Sequence, residues 1–182
     1  MLRITLSALA ALLALAVGNL AAQAQSRVFV AAQGSDSNPC TFAAPCRTFQ
    51  HAHDTVAAGG EIDVLDPAGY GQLTISKSIS IQGHNFAGLS VPSGNGITIN
   101  AGSSDKISVR GLLIDGVGSG SSGVLFNTGG SLDVRECLIR NFSVPAWCSG
   151  QATAANYLSL TARSSVTACT ASSSMERHFR AA

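Results

Sequence analysis

Aromatic and charged residues are scarce in this chain. Aromatic residues make up 5% and charged residues 12% of its 182 residues, and the formal net charge is +1. Beyond residue 24 the basic and acidic side chains are equal in number. Nucleic acids and anionic membrane surfaces attract proteins through clustered positive charge. The composition therefore predicts neither a nucleic-acid partner nor a membrane partner for the mature chain.

Motifs of the common enzyme classes are also missing. The sequence contains no nucleophile elbow, phosphate-binding loop or zinc motif. The Gly- and Ser-rich stretch at 118–123 is not followed by lysine, so we predict a turn there rather than a phosphate cradle. We therefore expect no cofactor, no metal site and no catalytic residue in this chain, and the prediction leans against an enzyme.

The apolar run at 6–17 is too short to span a membrane, which takes about 20 residues. Arg3 precedes the run, and Ala22-Gln23-Ala24 follows it. A positive start, an apolar centre and a small-residue end are typical of a secretory signal peptide. We predict a signal peptide at 1–24, cleavage after Ala24, and a secreted or periplasmic mature protein.

Five cysteines are too few for a disulfide-rich scaffold, and their odd number leaves at least one without an intrachain partner. Cys40 and Cys46 flank a short loop with a proline before Cys46. We predict a disulfide between them, because an exported compartment would oxidise them. A metal pair is disfavoured, since the spacing is longer than C-x2-C and no partner set is evident. Cys137 lies in an apolar run, as a small hydrophobic residue would.

The first part of the chain predicts one strand and one helix. Residues 27–32 alternate as in a strand. A short helix that ends at Gly59-Gly60 follows from the helical spacing of Phe49, Ala52 and Val56. His51 and His53 lie two apart on that helix and point to different faces. We therefore expect two solvated histidines and no metal pair.

From Glu61 onward, short alternating segments repeat at a nearly constant offset. The aligned segments are 96–102 with 123–129, 107–110 with 132–135, 112–114 with 137–139, and, more loosely, Leu73 and Ile75 with Ile97 and Ile99. Two strands per repeat without a leucine–asparagine frame predict a parallel β-coil rather than a leucine-rich repeat. Successive turns of such a coil stack about 4.8 Å apart. Asn100 and Asn127 are then predicted to form a turn ladder of stacked amides.

Two stretches resemble a known family. PCRTFQ…GGEIDVLDPAGYG, followed by LTISKSISIQG, is similar to the right-handed parallel β-helix proteins of the pectin-lyase-like superfamily, in their secreted bacterial form. The resemblance covers 27–142. It implies an all-β solenoid of about three coils at 25–142, with an N-terminal capping strand and a short α-helix. It also implies a secreted protein that is often associated with polysaccharide, and it does not by itself imply catalysis.

The enzymes of that superfamily need carboxylates stacked at the coil period. The lyases hold calcium with such carboxylates beside an Arg or Lys base, and the hydrolases use three aspartates. In the repeat alignment Asp115 falls over Arg140, and Asp133 falls over Ser108. The sequence therefore predicts no acidic ladder.

Arg110 falls over Arg135 in the alignment, with Asp133 on the same side of the strand. These three residues are the candidate ligand-facing group and could bind a sugar acid, although a solvated outer face is the alternative. The predicted function is a secreted carbohydrate-associated or surface structural module without catalytic activity of its own. The alternative is a fragment of a pectate-lyase-like polysaccharide lyase or glycoside hydrolase whose active coils are missing.

After Phe142 the alternation stops. A flexible linker, a cap and an out-of-frame translation are the three alternatives for 143–182. A shifted frame forces Val at Trp147-Cys148 and permits two Gly-aliphatic starts 25 residues apart, which is the coil period. We predict an irregular, out-of-frame tail that does not continue the coils. A coil stack opened there would expose an unpaired edge that could self-associate.

Overall fold

The described residues form β-strands and one short α-helix. The computed structural model describes residues 25–143, 147–149, 157–163 and 178–179, so the signal peptide predicted at 1–24 lies outside them. The elements are β1 Gln25–Val30, α1 Phe49–Thr55, β2 Val56–Val64, β3 Leu73–Ile75, β4 Ile79–Ser90, β5 Asn95–Asn100, β6 Lys106–Gly120, β7 Ser122–Thr128, β8 Ser131–Phe142, β9 Trp147–Ser149, β10 Tyr157–Arg163 and β11 His178–Phe179. A search of the described residues finds no helix with the length and apolarity to cross a membrane.

The strands belong to two parallel sheets. One sheet has seven strands in the order β1-β2-β4-β6-β8-β10-β11, and the other has four in the order β3-β5-β7-β9. All neighbouring strands pair in parallel. From β2 to β10 consecutive strands fall in alternate sheets, so neighbours within a sheet are joined through a strand of the other sheet. The prediction of an all-β fold with parallel strands is confirmed.

The strand register agrees with the repeat alignment. Ile97 pairs with Val124, as the alignment predicted. The turn ladder differs in one detail: Asn100 pairs with Thr128 instead of Asn127, because the register shifts by one residue after Ile99. The side-chain amide of Asn127 nevertheless donates to Asn100 Oδ1 over 2.8 Å. The two amides therefore meet through their side chains and not through aligned backbone positions.

Alternation within the strands places aliphatic side chains on the inner side of both sheets. These side chains belong to one cluster that extends from Val28 to Ile139. In the large sheet the cluster contains a column of buried residues from adjacent strands, namely Val28, Ile62, Ile81, Val109 and Val134. Full burial of such a side chain contributes about 1.5–3 kcal/mol. The repeated column is therefore a main source of the stability of the fold.

Residues 25–55 form a cap over the first strands. Thr48 caps the N-terminus of α1, and its Oγ1 accepts a hydrogen bond from the His51 N–H. The helix ends at Thr55, four residues before the predicted end at Gly59. Val56 is extended with ψ 147°, is buried, and begins β2. The predicted end was wrong because pairing of the following residues with β4 outweighs the helical spacing.

Two side chains of α1 cover the edge of β3. Gln50 Oε1 accepts a hydrogen bond from the Thr74 N–H over 2.8 Å, and His53 Nε2 accepts one from the Ser76 N–H over 3.2 Å. His53 Nδ1 lies 3.0 Å from Asp54 Oδ1, so the neutral ring donates from Nδ1. The prediction that His53 is solvated was wrong, because the ring is buried. It serves as the backbone partner that an edge strand otherwise lacks.

An aromatic pair anchors the cap to the sheets. Phe49 of α1 packs on Tyr70 with ring centroids 5.2 Å apart, and both rings are fully buried. The Tyr70 hydroxyl donates to Asp66 Oδ1 over 2.5 Å, and the same oxygen accepts from the Ala32 N–H over 2.8 Å. Burial, followed by the hydrogen bond to Asp66, raises the pKa of Tyr70 far above its usual value. Asp66, which directly precedes Pro67, therefore connects the end of β1 to this anchor.

Three short strands beyond Phe142 extend both sheets. Trp147 of β9 pairs with Val124, and Leu160 of β10 pairs with Val134. β11 pairs in turn with β10. The expectation that residues from 143 on do not continue the stack is wrong at these strands. The exposed backbone groups of β7 and β8 find partners there, and large apolar residues such as Trp147 and Leu160 come into register with core positions. The rest of the predicted tail lies outside the described residues, and the frame shift stays a prediction about the coding DNA.

Candidate functional site

The side of the large sheet that points away from the core presents two rows of partly or fully exposed residues, one residue per strand. We call these rows the outer face. The first row is Arg27, Glu61, Ser80, Ser108 and Asp133, and the second is Phe29, Asp63, Gln82, Arg110 and Arg135. The rows exist because residues two apart in a strand share a face and the register is parallel.

The three residues predicted as ligand-facing lie together on the outer face. Arg110 and Arg135 are paired neighbours on β6 and β8. Asp133 lies two residues before Arg135, and its Oδ2 is 2.7 Å from Arg135 Nε. The predicted juxtaposition is therefore found, while the role in ligand binding stays a prediction. Because this ion pair is solvent-exposed, it contributes at most about 1 kcal/mol to stability.

Glu136 is a fourth charged residue of this group that the sequence reasoning missed. Its carboxylate accepts two hydrogen bonds from Arg110, from Nη2 over 2.8 Å and from Nε over 3.1 Å. The hydrogen bonds from Arg110 lower the pKa of Glu136. Glu136 has a left-handed backbone with φ 54°, and Gly111, which aligns with it, has φ 67°. The aligned glycine was the available signal, since glycine marks a position where the strand leaves its regular conformation.

A bend in β4 places an aromatic stack beside these charges. His84 and Phe86 stack with ring centroids 5.6 Å apart, and Phe86 is 40% exposed. His84 Nε2 lies 2.5 Å from Asp63 Oδ1 in the second row of the outer face. A Cβ on Gly111 would lie 2.7 Å from Asn85 N, so the bend lies directly against the residue that follows Arg110. His84 and Asn85 both have positive φ, which histidine and asparagine adopt more readily than most residues.

The carboxylates on this side of the large sheet are bonded to arginine or histidine side chains and do not form an acidic ladder. In neither row of the outer face does one acidic residue lie beside another. Asp115 lies in β6 beyond Gly111, outside the two rows. Its Oδ2 is 2.8 Å from Arg140 Nε, and its carboxylate accepts a hydrogen bond from Asn141 over 3.0 Å. Calcium sites need several oxygen ligands that converge on one point. The described acidic residues of the outer face do not provide such a group.

Acidification is expected to destabilise the fold in part through Asp105 and Asp115. A hydrogen bond from Ser78 Oγ lowers the pKa of Asp105, and one from the Val117 N–H lowers that of Asp115. A depressed folded pKa contributes stability that is fully present above the unfolded value of about 3.9 and is lost as the pH falls through the folded pKa. Urea unfolding should show a falling free energy of unfolding between about pH 5 and pH 2. An equally steep fall in the double variant D105N/D115N would contradict this assignment.

The cap contains a group of three metal-ligating residues in the described part of the chain. Cys40 and Cys46 form the predicted disulfide, with 4.6 Å between their Cα atoms. One ligand atom each of Cys40, Cys46 and His51 lies within 4.8 Å of the others. The helix cap at Thr48 holds His51 near the cysteine pair. The spacing of these residues along the chain does not reveal this proximity, so the sequence offered no sign of a third ligand. The cysteines are buried and His51 is half-buried.

A comparison of this chain with protein family models, with curated proteins and with solved structures finds no match. An assignment of function therefore depends on the fold and the surfaces described above.

Proposed function

We propose that this chain is a secreted right-handed parallel β-helix protein of the pectin-lyase-like type, and that its outer face binds polysaccharide without cleaving it. Parallel strands that alternate between two sheets support the β-helix. Crossover connections between parallel strands of one sheet are right-handed in about 98% of proteins, which supports the hand. The Cys40–Cys46 disulfide supports an oxidising compartment.

The observation that favours polysaccharide is the chemistry of the outer face together with the bend in β4. Exposed polar side chains follow one another at the strand spacing of about 4.8 Å, so a chain molecule along the stacking direction would meet one residue of each row per strand. The guanidinium groups of Arg110 and Arg135 can donate to hydroxyl and carboxylate oxygens. The stacked rings of His84 and Phe86 offer an apolar surface to the C–H face of a sugar.

The charges of the outer face favour binding over catalysis. A general acid needs a raised pKa, but the pKa of Glu136 is lowered by its two bonds from Arg110. Arg110 is held in the same ion pair, 2.8 Å between Nη2 and Oε1, which keeps its proton in place. A lyase base must accept a proton from the sugar. The pair is therefore suited to hold a ligand through hydrogen bonds.

The double variant R110Q/R135Q, which replaces two positively charged side chains with uncharged ones, tests the binding surface. Each lost charge-assisted hydrogen bond costs about 1.5–3 kcal/mol, so the dissociation constant should rise at least about tenfold. Affinity electrophoresis in gels that contain acidic or neutral polysaccharides measures it. R140Q is the matched control. Arg140 is about half exposed and ion-paired, as Arg110 and Arg135 are, but it lies beyond Glu136 in β8 and outside the two rows. Equal retention of the double variant and the wild type in every gel would refute the binding surface.

The alternative, a fragment of a polysaccharide lyase or hydrolase, makes a different prediction. The purified protein with calcium should then release unsaturated oligogalacturonides or reducing ends. We expect no release above the level of a heat-denatured sample. Release that R110Q or R135Q abolishes would replace the binding proposal with the enzyme.

Self-association through an open strand edge belongs to the same proposal. Unpaired edge strands pair readily with other chains. Sedimentation velocity at increasing protein concentration should show a rise in mean mass. A constant monomer mass over that range would exclude it.

A further inference from the structure

The disulfide of the cap is held by a framework that does not depend on the sulfur–sulfur bond. Cys40 O accepts a hydrogen bond from the Phe29 N–H over 2.8 Å, and Cys46 O accepts one from the Ala31 N–H over 3.0 Å. The Cys46 N–H donates to Phe29 O over 2.9 Å. Both cysteines are therefore fixed to β1 through their backbones. Reduction of the disulfide would leave the two sulfur atoms close together.

His51 is fixed to the same framework from the helix side. Its N–H donates to Thr48 Oγ1 over 3.2 Å, and Thr48 in turn donates both its N–H and its hydroxyl to the Asp36 carboxylate, over 2.9 Å and 2.8 Å. The start of α1 is thus held at its N-cap, Thr48, two residues after Cys46. The disulfide joins the two sulfur atoms, and the bonds from Thr48 to Asp36 and from His51 to Thr48 hold the start of the helix beside them. A ligand atom of His51 therefore lies within 4.8 Å of both sulfur atoms.

From this geometry we propose that the reduced cap is a zinc-binding site formed by Cys40, Cys46 and His51. A thiol reductant first cleaves the sulfur–sulfur bond, which yields two cysteine thiols and one oxidised disulfide of the reductant. Zn²⁺ then replaces the two thiol protons, which leave as two H⁺, while the imidazole ligates as a neutral ring through a nitrogen lone pair. Two thiolates balance the charge of the ion, so no net charge is buried in the cap.

The ligand set suits zinc better than the other common divalent ions. Zinc is bound by cysteine and histidine in tetrahedral sites, with about 2.3 Å to sulfur and about 2.0–2.1 Å to nitrogen. Calcium and magnesium prefer oxygen ligands, and these three residues offer none. The ligand atoms lie within 4.8 Å of one another, so side-chain rotations of the reduced residues can bring them onto one ion. Water would fill the fourth position.

Cys137, a free cysteine whose side chain the structure describes, lies outside this site. Cys137 is buried in β8, where its Sγ lies 3.5 Å from the Leu112 N–H donor and 3.8 Å from Val109 O. Burial raises the pKa of the Cys137 thiol to about 11, which disfavours the thiolate that a metal needs. A metal-binding signal from the reduced chain that depends on Cys40 and Cys46 therefore reports the cap.

The test uses the full chain, with Co²⁺ as a coloured probe and Zn²⁺ as the competitor. The reduced wild type should bind one Co²⁺ with the absorption bands of tetrahedral thiolate coordination, and Zn²⁺ should displace it. The oxidised wild type and C40S/C46S should show no such bands. H51A should weaken binding by more than about tenfold. Loss of a residue that only hydrogen-bonds to a metal ligand already costs about tenfold or more, and His51 is itself a ligand in this proposal. F42A is the control, since Phe42 lies between the two cysteines of the cap and is exposed but offers no metal ligand, and it should bind as the wild type does.

A second readout covers the case in which the reduced cap loses its structure. Hydrogen exchange at the Phe29 and Ala31 amides, which donate to Cys40 and Cys46, reports whether the cap is formed. Zn²⁺ should restore or increase the protection of both amides in the reduced wild type and leave C40S/C46S unchanged. The proposal is wrong if the reduced wild type binds Co²⁺ no more tightly than C40S/C46S, if H51A matches the wild type, or if Zn²⁺ does not increase the protection.

Discussion

Replacement of Phe49 by alanine is expected to lower the free energy of unfolding by about 3–5 kcal/mol. The ring is fully buried and packs on Tyr70, whose backbone O accepts a hydrogen bond from the Phe49 N–H over 3.0 Å. Its loss leaves a cavity at the junction of the cap with the sheets. Because α1 also supplies Gln50 and His53 to the edge of β3, the variant should expose that edge. Urea unfolding followed by circular dichroism measures the loss.

Phe42 provides the control for this prediction. It belongs to the same cap but is 70% exposed, and its ring contact is the edge-to-face pair with Phe29, so F42A should lower the free energy of unfolding by no more than about 1.5 kcal/mol. Similar losses in F49A and F42A would mean that the cap does not pack on the sheets as described.

The second large effect is expected at Ile114, in the middle of β6. The side chain is fully buried, and the residue pairs with Leu89 on one side and Ile139 on the other. I114A should lower the free energy of unfolding by about 2–5 kcal/mol, because a cavity forms between three adjacent strands. The same unfolding experiment measures it.

Leu138 provides a control at an aliphatic position that faces outward. It directly precedes Ile139 in β8 and is 41% exposed, since alternate residues of a strand face opposite sides. L138A should cost less than about 1 kcal/mol. A loss at Leu138 equal to that at Ile114 would contradict the assignment of the inner and outer sides.

The sequence was most informative where one rule acts repeatedly. Alternation and the repeat offset together predicted the pairing of Ile97 with Val124 and of Arg110 with Arg135, because a parallel register is determined by which residues must face the core. The Cys40–Cys46 disulfide was predicted from the short spacing of the two cysteines together with the oxidising compartment that a signal peptide implies. In each instance the required information is local or periodic.

The errors arose where contacts between distant segments decide the structure. The burial of His53 depends on Ser76, an edge residue 23 positions later, which no helical pattern reveals. Glu136, which bonds to Arg110, has the left-handed backbone that Gly111 has at the aligned position of the neighbouring strand β6. Beyond residue 143, β9 and β10 form through backbone pairing with β7 and β8, and the loss of alternation in the sequence does not report that energy.

The central claim is that successive repeats stack in parallel and in register. Nuclear Overhauser contacts between backbone protons in the isotopically labelled protein test this most directly. The account predicts interstrand contacts around Ile97 and Val124 in the small sheet, and around Val109 and Val134 in the large sheet. Contacts of an antiparallel pattern, or a displacement by one residue at these two pairs, would contradict it, because such a displacement would turn the aliphatic column outward.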